Sequence, residues 1–388
     1  MKPTGVFLLA SSLRFGGAEK HVITLANRLD SRLFRVDVCH VKPDAQLADE
    51  LLPDRKERVV SLDVRGKFAW AAVRRLAHMI EEREISVLVC TNSYSLVYAW
   101  LAALRTRRPV RLVEVFHTTD LGTHGSRLKM WFYSMLFRRC DLLVYVSYAQ
   151  REYWRKRGLR ARRDVVIQNG IDAERFTDRF TTAQKTECRA SYGFGAEDYV
   201  IGICAVFRAE KAHGDLLAAV RRLRDAGVNA RVLLIGDGPR RGTIEAEIAR
   251  LQLGEVAAIT GFQNDVRLHV ASCDVMVLAS HAVETFSIAA LESMALGKPL
   301  VLTRIGGAAE QVTPGSNGFL FEPGDIDALT AHLKTLADKD LRSRMGAQAS
   351  NVVRDQFTLD KMTAAYDREL AQVVGVEQPA PATLVHSV

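Results

Sequence analysis

The sequence predicts an α/β protein of two successive units, each an open parallel sheet clad in helices, with a cleft between them. Three observations predict it. Short β-branched runs alternate with stretches of helical periodicity, the signature of βαβ units. That alternation runs through twice, with a lapse at "DAERFTDRFTTA" (172–183) that reads as a linker. The polar and glycine-rich motifs fall just after strands, where open α/β sheets bind ligands.

In the first series, VFLLA (6–10), RVDVCHV (35–41), VLVC (87–90), RLVEVF (111–116) and DLLVYVS (141–147) read as strands. AEKHVITLANRL (18–29) and FAWAAVRRLAHMIEE (68–82) carry apolar residues at helical spacing between them. YVIGICAV (199–206), RVLLIG (231–236), EVAAITG (255–261), VMVLAS (275–280) and PLVLTR (299–304) form the second strand series. Its helices include HGDLLAAVRRLRDAG (213–227), PRRGTIEAEIARLQL (239–253) and DIDALTAHLKTLAD (325–338). A tail from Gly375, rich in Ala and Pro, reads as disordered.

Composition narrows the class. A chain of 388 residues has room for two or three domains, and 48% apolar residues can build their cores without staples. The six cysteines are widely spaced, which excludes a disulfide framework or a zinc site and points to a reduced, cytoplasmic protein. The opening "MKPTGVFLLASS" is too short to span a membrane, and no run reaches the length of a spanning helix.

Charge is uneven. Through residue 175 there are 31 Lys and Arg against 19 Asp and Glu; beyond it, 22 against 26. RTRRPVR (105–111), SRLKMWFYSMLFRR (126–139) and REYWRKRGLRARR (151–163) mix cations with aromatics such as Trp131, Phe132, Tyr133 and Trp154. Such stretches suit an anionic membrane surface, while their apolar faces serve equally well as core. No helix-turn-helix, RNP-like or zinc pattern supports nucleic acid as the partner.

The chemistry centres on "ETFSIAALE" (284–292). Ser287 is placed to cap a helix running to about Leu296, with Gly297 as its stop. Glu284 then precedes the helix and Glu292 lies inside it. N–H groups from Thr285 to Ile288 offer an anion site, flanked by carboxylates suited to sugar and ribose hydroxyls. Upstream, "FRAEKAHGD" sets Arg208 and Lys211 three residues apart before a helix, where two cations would hold a pyrophosphate. "IGDGP" (235–239) and "TGFQND" (260–265) end strands with glycine turns, so Gly236, Gly261 and Phe262 are candidates to bracket a base. In the first half, "RFGGAEKH" (14–21) puts Gly16 and Gly17 at a helix start, and "EVFHTTD" (114–120) puts His117 past a strand end. Taken singly, each is as compatible with a turn, a salt bridge or a core histidine as with a site.

As a set, GGAEKH, His117, "QNGID" (168–172), Arg208 with Lys211, GDGP, the spaced glutamates and "GKPLVLTRIGGAAE" resemble the family-4 retaining glycosyltransferases. The resemblance covers nearly the whole chain in order. It implies a GT-B fold: two Rossmann-like domains, 1–175 on the acceptor side and 176–357 binding the nucleotide sugar, with a helix at 358–374 crossing back. It also implies roles. Arg208 and Lys211 meet the donor pyrophosphate, Glu292 the ribose and Glu284 the donor sugar. Thr285, Phe286, Ser287 and Ile288 contribute through the backbone, and Gly16, Gly17 and His117 contribute from the acceptor side. The implied activity is hexosyl transfer from a UDP- or GDP-sugar to a glycan or lipid-linked saccharide in cell-envelope or exopolysaccharide synthesis. No cofactor or metal is implied; the charge of the leaving group falls to Arg208, Lys211 and helix N–H groups. A sugar-nucleotide epimerase of the same fold and a catalytically silent sugar-nucleotide-binding subunit are the alternatives.

Overall fold

The computed structural model describes residues 2–376 apart from 15, 118–123 and 283, and it also leaves the side chains of 124–129 undescribed. Most of the tail expected to be disordered, from 377 on, therefore lies outside the described residues, as does part of the basic stretch 126–139.

Thirteen strands are seen among the described residues. They are β1 (Thr4–Ala10), β2 (Phe34–His40), β3 (Val59–Ser61), β4 (Ile85–Cys90), β5 (Arg111–Phe116), β6 (Leu142–Tyr145) and β7 (Asp164–Val166), then β8 (Tyr199–Cys204), β9 (Ala230–Ile235), β10 (Ala257–Ile259), β11 (Val275–Leu278), β12 (Leu300–Thr303) and β13 (Gly318–Phe321). The first seven form one parallel sheet in the order 3-2-1-4-5-6-7, and the other six a second in the order 10-9-8-11-12-13. The two-unit α/β class read from the sequence is thus the observed one. Three strands escaped that reading: β3, β7 and β13. Each lies at a sheet edge and is three or four residues long, too short to show a period of two.

Both faces of each sheet are covered, which is why the central strands are apolar almost throughout. Val6, Leu8 and Ala10 of β1 face one apolar layer, and Phe7 and Leu9 face the other. The first of these layers is shared between the units. It passes from β1 through Phe286, Phe357 and Met362 to Leu291 and Leu302 of the second.

In each sheet the strand order reverses next to its first strand, between β1 and β4 and between β8 and β11. The loops leaving these strands open into the crevice where ligands bind in such sheets.

The chain crosses between units twice, and the crossings are bonded to each other. Ile171 N–H donates to Phe357 O and Leu359 N–H to Ile171 O, both at 2.9 Å. Gly170 is required here, because a Cβ would stand 2.3 Å from Thr358 O. The segment read as a linker is anchored by Phe176, which is buried, and it gives way to a helix, Thr182–Ser191, closed by a Thr181–Gln184 capping box. The last helix, Leu359–Val374, lies on the first unit: the Tyr366 hydroxyl is 3.0 Å from His21 Nε2, and Asp367 accepts from Asp30 N–H.

Candidate active site

The helix Ile288–Ala295 begins as its sequence dictates. Ser287 Oγ accepts from Ala290 N–H at 3.2 Å, and Gly297 stops it with φ 71°. The other N–H groups of its first turn have no intrahelical partners. Glu284, on the loop between β11 and this helix, is bound at Oε2 by Lys211 Nζ at 2.5 Å and by Ser280 Oγ at 3.4 Å. Among the described residues Oε1 takes no bond, leaving one carboxylate oxygen for a ligand hydroxyl.

Lys211 closes a single 3-10 turn, Ala209–Lys211, on the loop after β8. His281 N–H donates to Glu210 O at 2.9 Å and ties that turn to the loop after β11. Arg208 is more exposed, its guanidinium 4.0 Å from Glu210. Along this edge the loops follow the strand order: Gly261 and Phe262 after β10, Gly236 after β9, Arg208 and Lys211 after β8, Glu284 after β11. Gly236 and Gly261 meet in an isolated bridge, and the backbone of Gly236 packs on Ala205. These turns therefore brace the loop that carries Arg208. Phe262 is largely exposed on the outermost loop.

From the first unit, the helix Gly17–Arg28 brings its start to the same place. A Cβ on Gly17 would lie 4.0 Å from Ile288 Cδ1, so two helix starts from different sheets meet here. Thr285 Oγ1 donates to the carbonyl of His117 at 2.8 Å. His117 is half-buried, its Nε2 is buried and has no partner among the described residues, and burial holds its pKa down to about 4. It stacks edge-on to His21, whose pKa is lowered by burial and by His117. Both imidazoles are neutral at pH 7.

Glu292 lies apart from Glu284. It lines a cavity of about 120 Å³ shared with Lys20, His21 and Arg175. Burial raises its pKa, and the charges of Lys20 and Arg175 oppose that rise. Among the described residues no group of three or more His, Cys, Asp or Glu is placed to hold a metal ion.

Several positioning residues were not singled out in the sequence. Gly306 and Gly307 press on the Glu284 loop: Gly306 has φ 52°, and a Cβ there would stand 1.8 Å from Glu284 O. Asn169 Nδ2 donates to Phe286 O at 3.0 Å, and Gln311 Nε2 donates to Ser287 O at 2.8 Å. Glu310, from the second unit, accepts from Tyr148 N–H, Ala149 N–H and Gln168 Nε2 of the first at 3.1, 2.9 and 2.6 Å. It thereby caps the helix Tyr148–Lys156 across the interface. The only signal for Asn169, Gly306, Gly307 and Glu310 was membership in "QNGID" and "GKPLVLTRIGGAAE", and Gln311 had none; nothing local marks their partners.

Residues 184–352 match the family model described as Glycosyl transferases group 1, and residues 15–175 match that of Glycosyltransferase Family 4. The chain belongs to the group 1 glycosyltransferases. Among curated relatives, the N-acetyl-alpha-D-glucosaminyl L-malate synthase of Bacillus anthracis is 28% identical over 277 residues, 70% of each chain. The putative colanic acid biosynthesis glycosyltransferase WcaL of Salmonella typhimurium is 28% identical over 275 residues, 68% of this chain and 64% of that one. HepE of Anabaena, crystallised with UDP, superposes on this glycosyltransferase with a TM-score of 0.84 at 23% identity, over 95% of this chain and 100% of its own. That likeness shows the GT-B fold.

Proposed function

We propose that this glycosyltransferase moves a hexosyl group, with retention, from a UDP- or GDP-sugar to a glycan or lipid-linked saccharide in cell-envelope or exopolysaccharide assembly. One observation carries the reading: two helix starts from different sheets converge beside Arg208, Lys211 and Glu284. The UDP bound by HepE and the colanic acid pathway named for WcaL support the donor and the setting.

In this reading the second unit, 176–357, holds the donor. Arg208, Lys211 and the N–H groups of Thr285, Phe286, Ser287 and Ile288 take the diphosphate, with Gly16 and Gly17 closing on it from the first unit. Glu284 grips a hydroxyl of the sugar and Glu292 the ribose, while Gly236, Gly261 and Phe262 flank the base. As the anomeric C–O bond breaks, negative charge grows on the leaving phosphate. Fixed cations and N–H dipoles stabilise that charge more than the ground state, and no metal is needed for it. Neutral His117 meets the sugar without adding charge beside the developing oxocarbenium. The acceptor attacks from the leaving-group side, and its proton passes to the departing phosphate oxygen. Residues 1–175, with the last helix, form the acceptor side.

The same unit is the one that would rest on a membrane from the cytoplasmic side. Trp131 and Phe132 are 64% and 45% exposed on the helix His124–Phe137, and Arg138 and Arg139 follow at its end. Exposed aromatics beside cations suit an anionic bilayer. Among the described residues no helix is long and apolar enough to cross a membrane.

Thermal unfolding with UDP-, GDP- and ADP-sugars tests the proposal, because a ligand that binds the folded state raises its stability with occupancy. A UDP- or GDP-sugar should raise the midpoint and then be slowly hydrolysed to free nucleotide. Stabilisation by ADP-sugars alone, or by none, would overturn it.

A further inference from the structure

A cavity of about 640 Å³ opens at the first sheet's switch point and is separate from the donor-side loops. Its size suits a ligand of sugar-phosphate dimensions. It is bounded by Lys42 after β2, Asn92 after β4, Lys67 and Tyr94, and at its other end by Glu19 and His117.

At the far wall, Lys42 Nζ lies 5.5 Å from the Tyr94 ring centroid and donates to Gly66 O. The Tyr94 hydroxyl in turn donates to Lys67 O at 3.0 Å, which ties the two lysine-bearing segments together. Among the described residues neither lysine is paired with a carboxylate. The nearby Asp44 is taken by Arg14 at 2.8 Å. Two lysines that have no carboxylate partner among the described residues suit an anion.

The other end faces the donor. Glu19 folds back toward Gly16, so that a Cβ on Gly16 would stand 2.3 Å from its Oε2. Burial raises the pKa of Glu19, and a backbone hydrogen bond and then the charge of Arg208 across the cleft oppose that rise. Glu19 thus stands between the acceptor cavity and the cation assigned to the leaving group.

We propose that the acceptor is an anionic hydroxy compound, its carboxylate or phosphate held by Lys42 and Lys67 and its reacting hydroxyl presented beside Glu19 and His117. The inference rests on the reading that the first unit takes the acceptor. In the transfer, the acceptor oxygen forms the new bond to the anomeric carbon as the bond to the diphosphate oxygen breaks. The hydroxyl proton goes to that departing oxygen, so no further reactant is required.

The test uses the full chain with the nucleotide sugar that it hydrolyses and three acceptor sets: glycosyl phosphates, hydroxycarboxylates including uronic acids, and neutral methyl glycosides. Anionic acceptors should be used about tenfold or more better in kcat/KM, the scale of one charge-assisted hydrogen bond. The phosphate and carboxylate arms then tell which anion is native. Lys42→Met and Lys67→Met should each raise the acceptor KM about tenfold for anionic acceptors and not for neutral ones, with Lys67→Arg restoring it. Equal use of neutral and anionic acceptors, or variants that weaken both alike, would overturn the proposal. Donor hydrolysis separates the two failures: if the wild-type chain hydrolyses donor but shows no charge preference, only this inference falls; if it hydrolyses none, the transferase reading falls with it.

Discussion

Two sets of ionisable groups near the cleft, one from each unit, are held in opposite ways. At the edge of the second sheet charge is kept and paired: Lys211 binds Glu284, and Arg208 stands exposed beside Glu210. In the first unit three buried groups are stripped of charge. His21 and His117 are neutral, and Glu114 of β5 is fully buried with both oxygens unpartnered among the described residues, its pKa pushed well above the carboxylate range by burial. The difference teaches where the electrostatic work of the site lies. A leaving diphosphate needs fixed positive charge, and the second unit supplies it. The first unit brings dipoles and neutral rings, which shape the site without competing for the anion.

The most direct way to break this comparison is Arg208→Ala. Turnover should fall about 10²–10³-fold, the scale of one lost transition-state donor, with little change in donor KM. A kcat within a few-fold of wild type, measured by nucleotide release, would place the electrostatic work elsewhere. Glu292→Ala sharpens the contrast within the donor half. It should weaken nucleotide binding about tenfold or more by calorimetry, since a bond to a charged group contributes roughly 1.5–3 kcal/mol. Loss of turnover with unchanged affinity would remove Glu292 from the ribose.

The smallest effect is expected from Glu114→Gln. Folding raises the Glu114 pKa, so the folded chain holds a proton that the unfolded chain releases above the usual carboxylate range. That costs stability as pH rises past about 4.5. The variant should therefore unfold a few degrees higher than wild type at pH 7 and match it near pH 4. A variant less stable than wild type at pH 7 would mean that Glu114 is ionised and partnered.

Local signals carried far in this chain. The helix at 288–295 was legible to within a residue because its cap, Ser287, and its stop, Gly297, are local chemistry. The central strands were legible because burial on both faces leaves an apolar run. Of the four edge strands only β10 was read, within the longer run EVAAITG; β3, β7 and β13 were not, since segments of three or four residues carry no period. The partners of Asn169, Glu310 and Gln311 were equally out of reach. Nothing beside Glu310 indicates that it caps a helix 161 positions earlier.

The sequence by itself determined the alternation of strands and helices, its repetition, and the loops that carry polar residues, because these follow from periodicity, caps and turns acting over a turn or a strand. Strand order was decided only by the tertiary structure. Placing β11 beside β8 brings Glu284 to Lys211 across 73 residues, and docking the two units brings Thr285 to the carbonyl of His117 across 168. Such contacts depend on which strand ends become neighbours, and that is settled by burying both faces of two sheets at once.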